Sequence, residues 1–225
     1  MRLVASLRAM VVLGATGCGL ISADLTRVSF ELPTKTYHFD TATWQLPATG
    51  TVPSVACTTA ADCCGLPGLD CTTHQLSCDA GMCALHEPVT VSQIMNLGQE
   101  VPQLHGAQSL ADVFISQIKY TVASTLNIPL PAVTIYLAPN GVGDPGDTRA
   151  RKFGIVPPSP AATTTSGSVT LEADAQTTFA GYAQMLDTPF MFIASTTVVV
   201  TGGMPIPNGA ADISVTGTVS VQPKF

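Results

Sequence analysis

The sequence predicts a mostly β protein: an antiparallel β-sandwich with one short helix and an inserted disulfide-rich module. Three observations carry this. Residues 213–221 alternate Ile213, Val215, Gly217, Val219 and Val221 with Ser214, Thr216, Thr218 and Ser220, the period-two pattern of a half-buried strand. Residues 190–200 form a β-branched and aromatic run suited to a more central strand. Six of the seven cysteines fall between positions 57 and 83.

Earlier strands follow from the same patterning. Val28, Phe30 and Leu32, then Tyr37 and Phe39, flank Pro33 as two N-terminal strands. Phe114 to Val122 alternates and reads as a strand from about residue 113, after a helical turn at 109–112. Residues 132–137 form a strand between two prolines, and 168–173 a shorter one. Gly202, Gly203, Pro205, Pro207 and Gly209 supply turn chemistry between the last two strands. Those two strands are therefore expected to pair as an antiparallel hairpin. Asp174 is placed to cap the single helix, which buries Phe179, Tyr182, Ala183 and Leu186 as a plug over an open end of the sheets and stops before Pro189.

Composition narrows the function classes. Charged residues are only 11% and apolar residues 46% of the 225, which excludes a disordered chain. The net charge of −6 comes with no basic cluster, so nucleic-acid binding through phosphates has no electrostatic basis. Ser and Thr are abundant where charge is scarce, as on the outward faces of exported β proteins.

The N-terminus reads as an address. Arg2 and Arg8 precede a short apolar stretch, residues 9–14, too short to span a bilayer. Ala15-Thr16-Gly17-Cys18 follows. It resembles the lipobox of bacterial lipoproteins, with Ala15 at the place usually held by Leu. The resemblance implies a signal peptide over 1–17, lipidation of Cys18 and a tether over 18–24, ahead of a sandwich over 25–225. Gly19 and Leu20 after the Cys, with no Asp, imply the outer membrane or cell surface of a double-membrane bacterium. Several acyl chains on one Cys anchor a protein stably. Losing Arg2 and Arg8 leaves seven basic and fifteen acidic residues, a net charge of −8.

Cys57, Cys63, Cys64, Cys71, Cys78 and Cys83 remain. An even, dense set in an exported chain reads as three disulfides, with fifteen pairings open. Adjacent Cys63 and Cys64 are not expected to bond to each other. The segment resembles small cystine-knot-like modules, although the Cys-Cys pair falls second and third, not third and fourth as in toxin-type knots. It is expected as an insertion over 55–87 that melts on reduction and spares the sandwich. A competing reading takes Cys71-x-x-His74 and Cys83-x-x-His86 as a tetrahedral zinc set; export to an oxidising compartment favours the disulfides.

Catalytic signals are scarce. The four histidines are His38, His74, His86 and His105. The chain has no nucleophile elbow, no phosphate-cradling loop before a helix and no His-Glu-x-x-His zinc motif. Asn140, Asp144 and Asp147 offer oxygen ligands for calcium, but the same residues are what a turn requires. Arg149, Arg151 and Lys152 form the one basic run of the exported chain, able to meet anionic headgroups. The expectation is a non-enzymatic envelope lipoprotein without a cofactor, a structural or binding module. Its partners are the membrane through its lipid, and an envelope protein or an apolar ligand. The alternative is a lipid or apolar-ligand carrier with a cavity inside the sandwich.

Overall fold

The computed structural model describes residues 28–47, 50–66, 69–102 and 111–223. Cys18 and His105 lie outside them. Eleven strands form two antiparallel sheets: β1 Val28–Glu31, β2 Lys35–Asp40, β3 Gln75–Asp79, β4 Met82–Met95, β5 Ala111–Ser124, β6 Val133–Pro139, β7 Arg151–Val156, β8 Thr164–Ser168, β9 Thr170–Leu171, β10 Phe190–Thr201 and β11 Ala210–Pro223. The smaller sheet runs β1-β11-β5-β8, with β2 following β1 along the same edge of β11. The larger runs β3-β4-β10-β6-β7-β9. Their inner faces share one apolar core that includes Phe39, Ile118, Val219, Phe192 and Leu85.

The alternation in β11 holds from Ile213 to Val219: Ile213, Val215 and Val219 are buried, whereas Ser214, Thr216 and Thr218 are part-exposed. It ends there, because Ser220, expected on the outward face, is buried at 2% between buried Val219 and Val221, with its hydroxyl on that of Ser29. β10 is central in its sheet, as its composition predicts. The two strands do not form the expected hairpin, however: β10 pairs with β4 and β6, and β11 with β1, β2 and β5. Residues 202–209 cross between sheets. Gly202 abuts the backbone of Pro53 and Ser54, and Gly209, at φ +110°, abuts that of Thr125. These close approaches steer the connection over the end of the sandwich.

β10 is buried on both faces at its start, because Val142 of the loop after β6 covers Met191 and Ile193 from outside. Residues 111–112 belong to β5, so the helical turn expected there is absent at those two positions. The short strand expected at 168–173 is divided between β8 and β9.

Two α-helices are present among the described residues. α1 is one turn, Leu97–Glu100, capped by Asn96. α2 spans Ala175–Ala183 and closes one end of the sandwich. Phe179 meets Phe153 and Phe190 at ring separations of 6.4 and 6.5 Å. Gln176 accepts a hydrogen bond from Ile115 N at 2.9 Å and donates back to Ile115 O. Its amide thus satisfies the edge of β5 beyond the residues paired with β8. Asp174 occupies the N-cap position, yet its carboxylate makes no capping hydrogen bond. Its backbone carbonyl accepts from Thr178 N instead.

The Cys-rich segment is continuous with the larger sheet. β4 carries Cys83 and then pairs with β10 for twelve residues, from Ala84 to Met95. Cys63, Leu66, Leu69 and Cys83 belong to the shared core. The segment thus shares its core with the sandwich and does not stand apart from it as a separate module.

Candidate functional site

The disulfides are Cys57–Cys78, Cys63–Cys83 and Cys64–Cys71. Cys63 lies on a 3₁₀ turn, Ala60–Cys63, whose entry is fixed by Asp62. Asp62 Oδ2 accepts from the backbone N–H of Thr58 and Thr59, both at 2.8 Å, and from the Thr58 hydroxyl at 2.9 Å. Those donors favour the ionised carboxylate and hold its pKa down to about 2. β3 and β4 join through Ala80 and Gly81, both at positive φ (49° and 80°), the two-residue turn that suits a twisted hairpin. Cys78 and Cys83 face each other across this hairpin, and each bonds outward to the preceding segment.

The zinc set is not assembled. Cys71 and Cys83 are both consumed in disulfides. His74 is buried with its Nδ1 3.8 Å from Glu87, and burial pushes the Glu87 pKa up. His86 Nε2 lies 2.7 Å from Asp79 Oδ2. Asp79 Oδ1 also accepts from Ser77 Oγ at 2.6 Å. This Ser–Asp–His chain has the wrong order for nucleophilic catalysis, since the hydroxyl contacts the carboxylate and not the imidazole that would take its proton.

In the loop considered for calcium, the two carboxylates have partners within the chain. Asp147 engages Arg149 through both oxygens, at 3.0 Å to Nε and 2.7 Å to Nη2. Arg149 keeps the Asp147 carboxyl at a pKa of about 2. Asp144 Oδ1 accepts from Gly146 N at 2.8 Å. The two carboxylates shape turns, and a guanidinium supplies the cation beside Asp147. Asn140 opens the loop that carries Val142 onto the outer face of β10. Among the described residues, the one cluster with metal-ligand proximity is Cys57, Cys63 and Cys83, whose sulfurs are all in disulfides.

The outward face of the smaller sheet carries a ladder of polar pairs. Ser29 meets Ser220 at 3.0 Å, Thr34 meets Thr216 at 2.7 Å, and Thr36 meets Ser214 at 3.0 Å. His38 Nδ1 lies 2.7 Å from Asp212 Oδ1, and this contact raises the His38 pKa. On the other side of β11, Thr121 meets Ser166 at 3.0 Å. Each Ser or Thr has one donor and two acceptor sites, so the part-exposed pairs Thr34–Thr216 and Thr36–Ser214 retain capacity toward an outside ligand, whereas Ser220 is buried. The hydroxyls along β11 were legible from its alternation. Their partners were not, because Ser29 and Ser220 are 191 residues apart.

No protein-family profile and no curated protein sequence matches the chain. Among solved structures, a Desmodium yellow mottle tymovirus chain is similar at 10% identity and a TM-score of 0.23, over 100% of this chain and 95% of that one. A turnip yellow mosaic virus chain gives 11% identity and 0.24, over 63% and 82%. A Macrobrachium rosenbergii nodavirus chain gives 9% and 0.24, over 98% and 60%. Likeness at these scores carries no argument about fold or function.

Proposed function

We propose that the protein is a non-enzymatic envelope lipoprotein, anchored through Cys18, that displays its β-sandwich as a structural or binding module. The observation that carries the display reading is the outward hydroxyl ladder of the smaller sheet, a polar face with few charges. Three disulfides fit an exported chain in an oxidising compartment. The lipobox-like Ala15-Thr16-Gly17-Cys18 supports the anchor.

The carrier alternative draws less support. Among the described residues, one void between the sheets, beside Leu32, Tyr37, Met95 and Phe192, measures about 20 Å³. That is room for about one water, not for an acyl chain. Intact mass of the purified mature chain is the test. The expected species begins at Cys18, carries acyl groups and lacks six thiol hydrogens. An unacylated mature chain refutes the anchor, and a co-purifying lipid held apart from Cys18 would favour the carrier.

A further inference from the structure

Beside α2 lies an open groove of about 400 Å³ with walls that include Pro139, Gly181, Tyr182, Met185 and Pro189. Tyr182 stacks on Phe190 at 4.7 Å, which leaves its ring as one wall. Met185 is 52% exposed and Ile94 is 57% exposed. Both are at this end of the sandwich, because Ile94 adjoins Met95, the partner of Phe190. Arg151 and Lys152 begin β7 and are exposed. Arg151 pairs with Leu137 and Lys152 with Tyr136 on β6, two and three residues before Pro139 of the groove wall.

The chain enters the sandwich at the same end. Val28 pairs with Val221, and Val221 with Val113. Two residues further along β5, Ile115 is held by Gln176 of α2. Cys18 precedes Val28 by ten positions, a reach of at most about 35 Å for extended chain. The opposite end is remote. Asp40 pairs with Ala210, about 35 Å along β11 from Val221 at about 3.3 Å per residue. The single tryptophan, Trp44, lies just beyond Asp40.

We propose that the α2 end is a bilayer-contacting surface, with Tyr182, Met185 and Ile94 at the acyl–headgroup boundary and Arg151 and Lys152 against anionic headgroups. This rests on the anchored-lipoprotein reading, since the tether from Cys18 holds this end near the membrane. Tethering raises the local concentration of the surface at the bilayer, so weak intrinsic affinity is enough. Tyrosine suits the interface, where its ring is apolar and its hydroxyl wet. Shallow burial of an apolar face beside basic residues is the usual mode of interfacial attachment.

The test uses the full lipidated chain in phosphatidylcholine–phosphatidylglycerol vesicles with brominated acyl chains, which quench tryptophan on contact. Native Trp44 should be unquenched. Met185→Trp should add emission that loses about half or more of its intensity, and Ile94→Trp serves as a second reporter of the same end. Val199→Trp, whose position pairs with His86 toward the far end, should be unquenched. If the chain floats with the vesicles and neither reporter at the α2 end is quenched, or if Val199→Trp is quenched equally, the proposal is overturned. A chain that fails to float with the vesicles overturns the anchor reading, and the proposal with it.

Discussion

Cys63, on a 3₁₀ turn, is bonded to Cys83, on a strand of the larger sheet, and both are 0% exposed within the core shared by the two sheets. The next residue, Ala84, pairs with Thr201 at the end of β10. The 3₁₀ turn is therefore stapled to β4, whose ladder with β10 begins at the next residue. Cys64–Cys71, by contrast, closes a short loop with Cys64 exposed.

The two staples should differ in effect. Closing a loop of 20 residues, the separation of Cys63 and Cys83, contributes about 3 kcal/mol, against about 2.5 for the seven-residue Cys64–Cys71 loop. Replacing Cys63 and Cys83 with Ala also leaves space in the core. Thermal melts should show the Cys63→Ala/Cys83→Ala pair losing clearly more stability than Cys64→Ala/Cys71→Ala, in one cooperative transition. A first transition confined to the Cys-rich segment, with the sandwich melting as before, would refute the shared core.

Along β11, inward and outward positions should behave oppositely. Val219 is 0% exposed, so Val219→Asp places a carboxylate in the core and should cost several kcal/mol. Thr216 faces outward opposite Lys119, so Thr216→Asp should change stability by only about 0.5 kcal/mol. Equal losses in urea titrations would mean that both faces of β11 are buried.

The crossing between sheets depends on Gly209. A Cβ there would lie 2.5 Å from Thr125 O, at φ +110°. Gly209→Ala should destabilise by about 1–3 kcal/mol through backbone strain. A melt unchanged from wild type would contradict the close approach.

Two carboxyls should stay ionised in acid. The Thr58 and Thr59 donors hold Asp62 at about 2, and Arg149 holds Asp147 at about 2, both below the ordinary 3.8. For a lowered acid, the stabilisation is fully present above 3.8 and is lost as the pH falls through 2. Carboxyl carbon shifts followed by NMR from pH 6 to pH 1.5 should show both midpoints displaced downward. Midpoints near 3.8 would contradict these contacts.

Local pattern made much of the sandwich legible. β11 alternates as far as Val219, β10 is a β-branched and aromatic run, and Pro33 divides β1 from β2. β4 escaped because its sequence mixes cysteine, histidine and Pro88 and its ladder runs mainly to β10, some 105 residues away, as at Thr90 and Ser195. The hairpin expectation for β10 and β11 failed because proximity in sequence does not choose between pairing and crossing. The zinc set failed for a different reason: ligand spacing is short-range, but disulfide partners elsewhere in the segment decided that Cys71 and Cys83 were not free. The disulfide pairing itself, like the hydroxyl partners on the outer face, is set by tertiary closure.

The proposed function requires that a lipid on Cys18 hold this sandwich at a membrane. The most direct test is metabolic labelling with a fatty-acid analogue, comparing wild type with Cys18→Ala in whole cells. Wild type should carry the label and sediment with membranes, and Cys18→Ala should carry none and leave the membrane fraction. Equal labelling of the two chains, or an unlabelled wild type, would contradict the account.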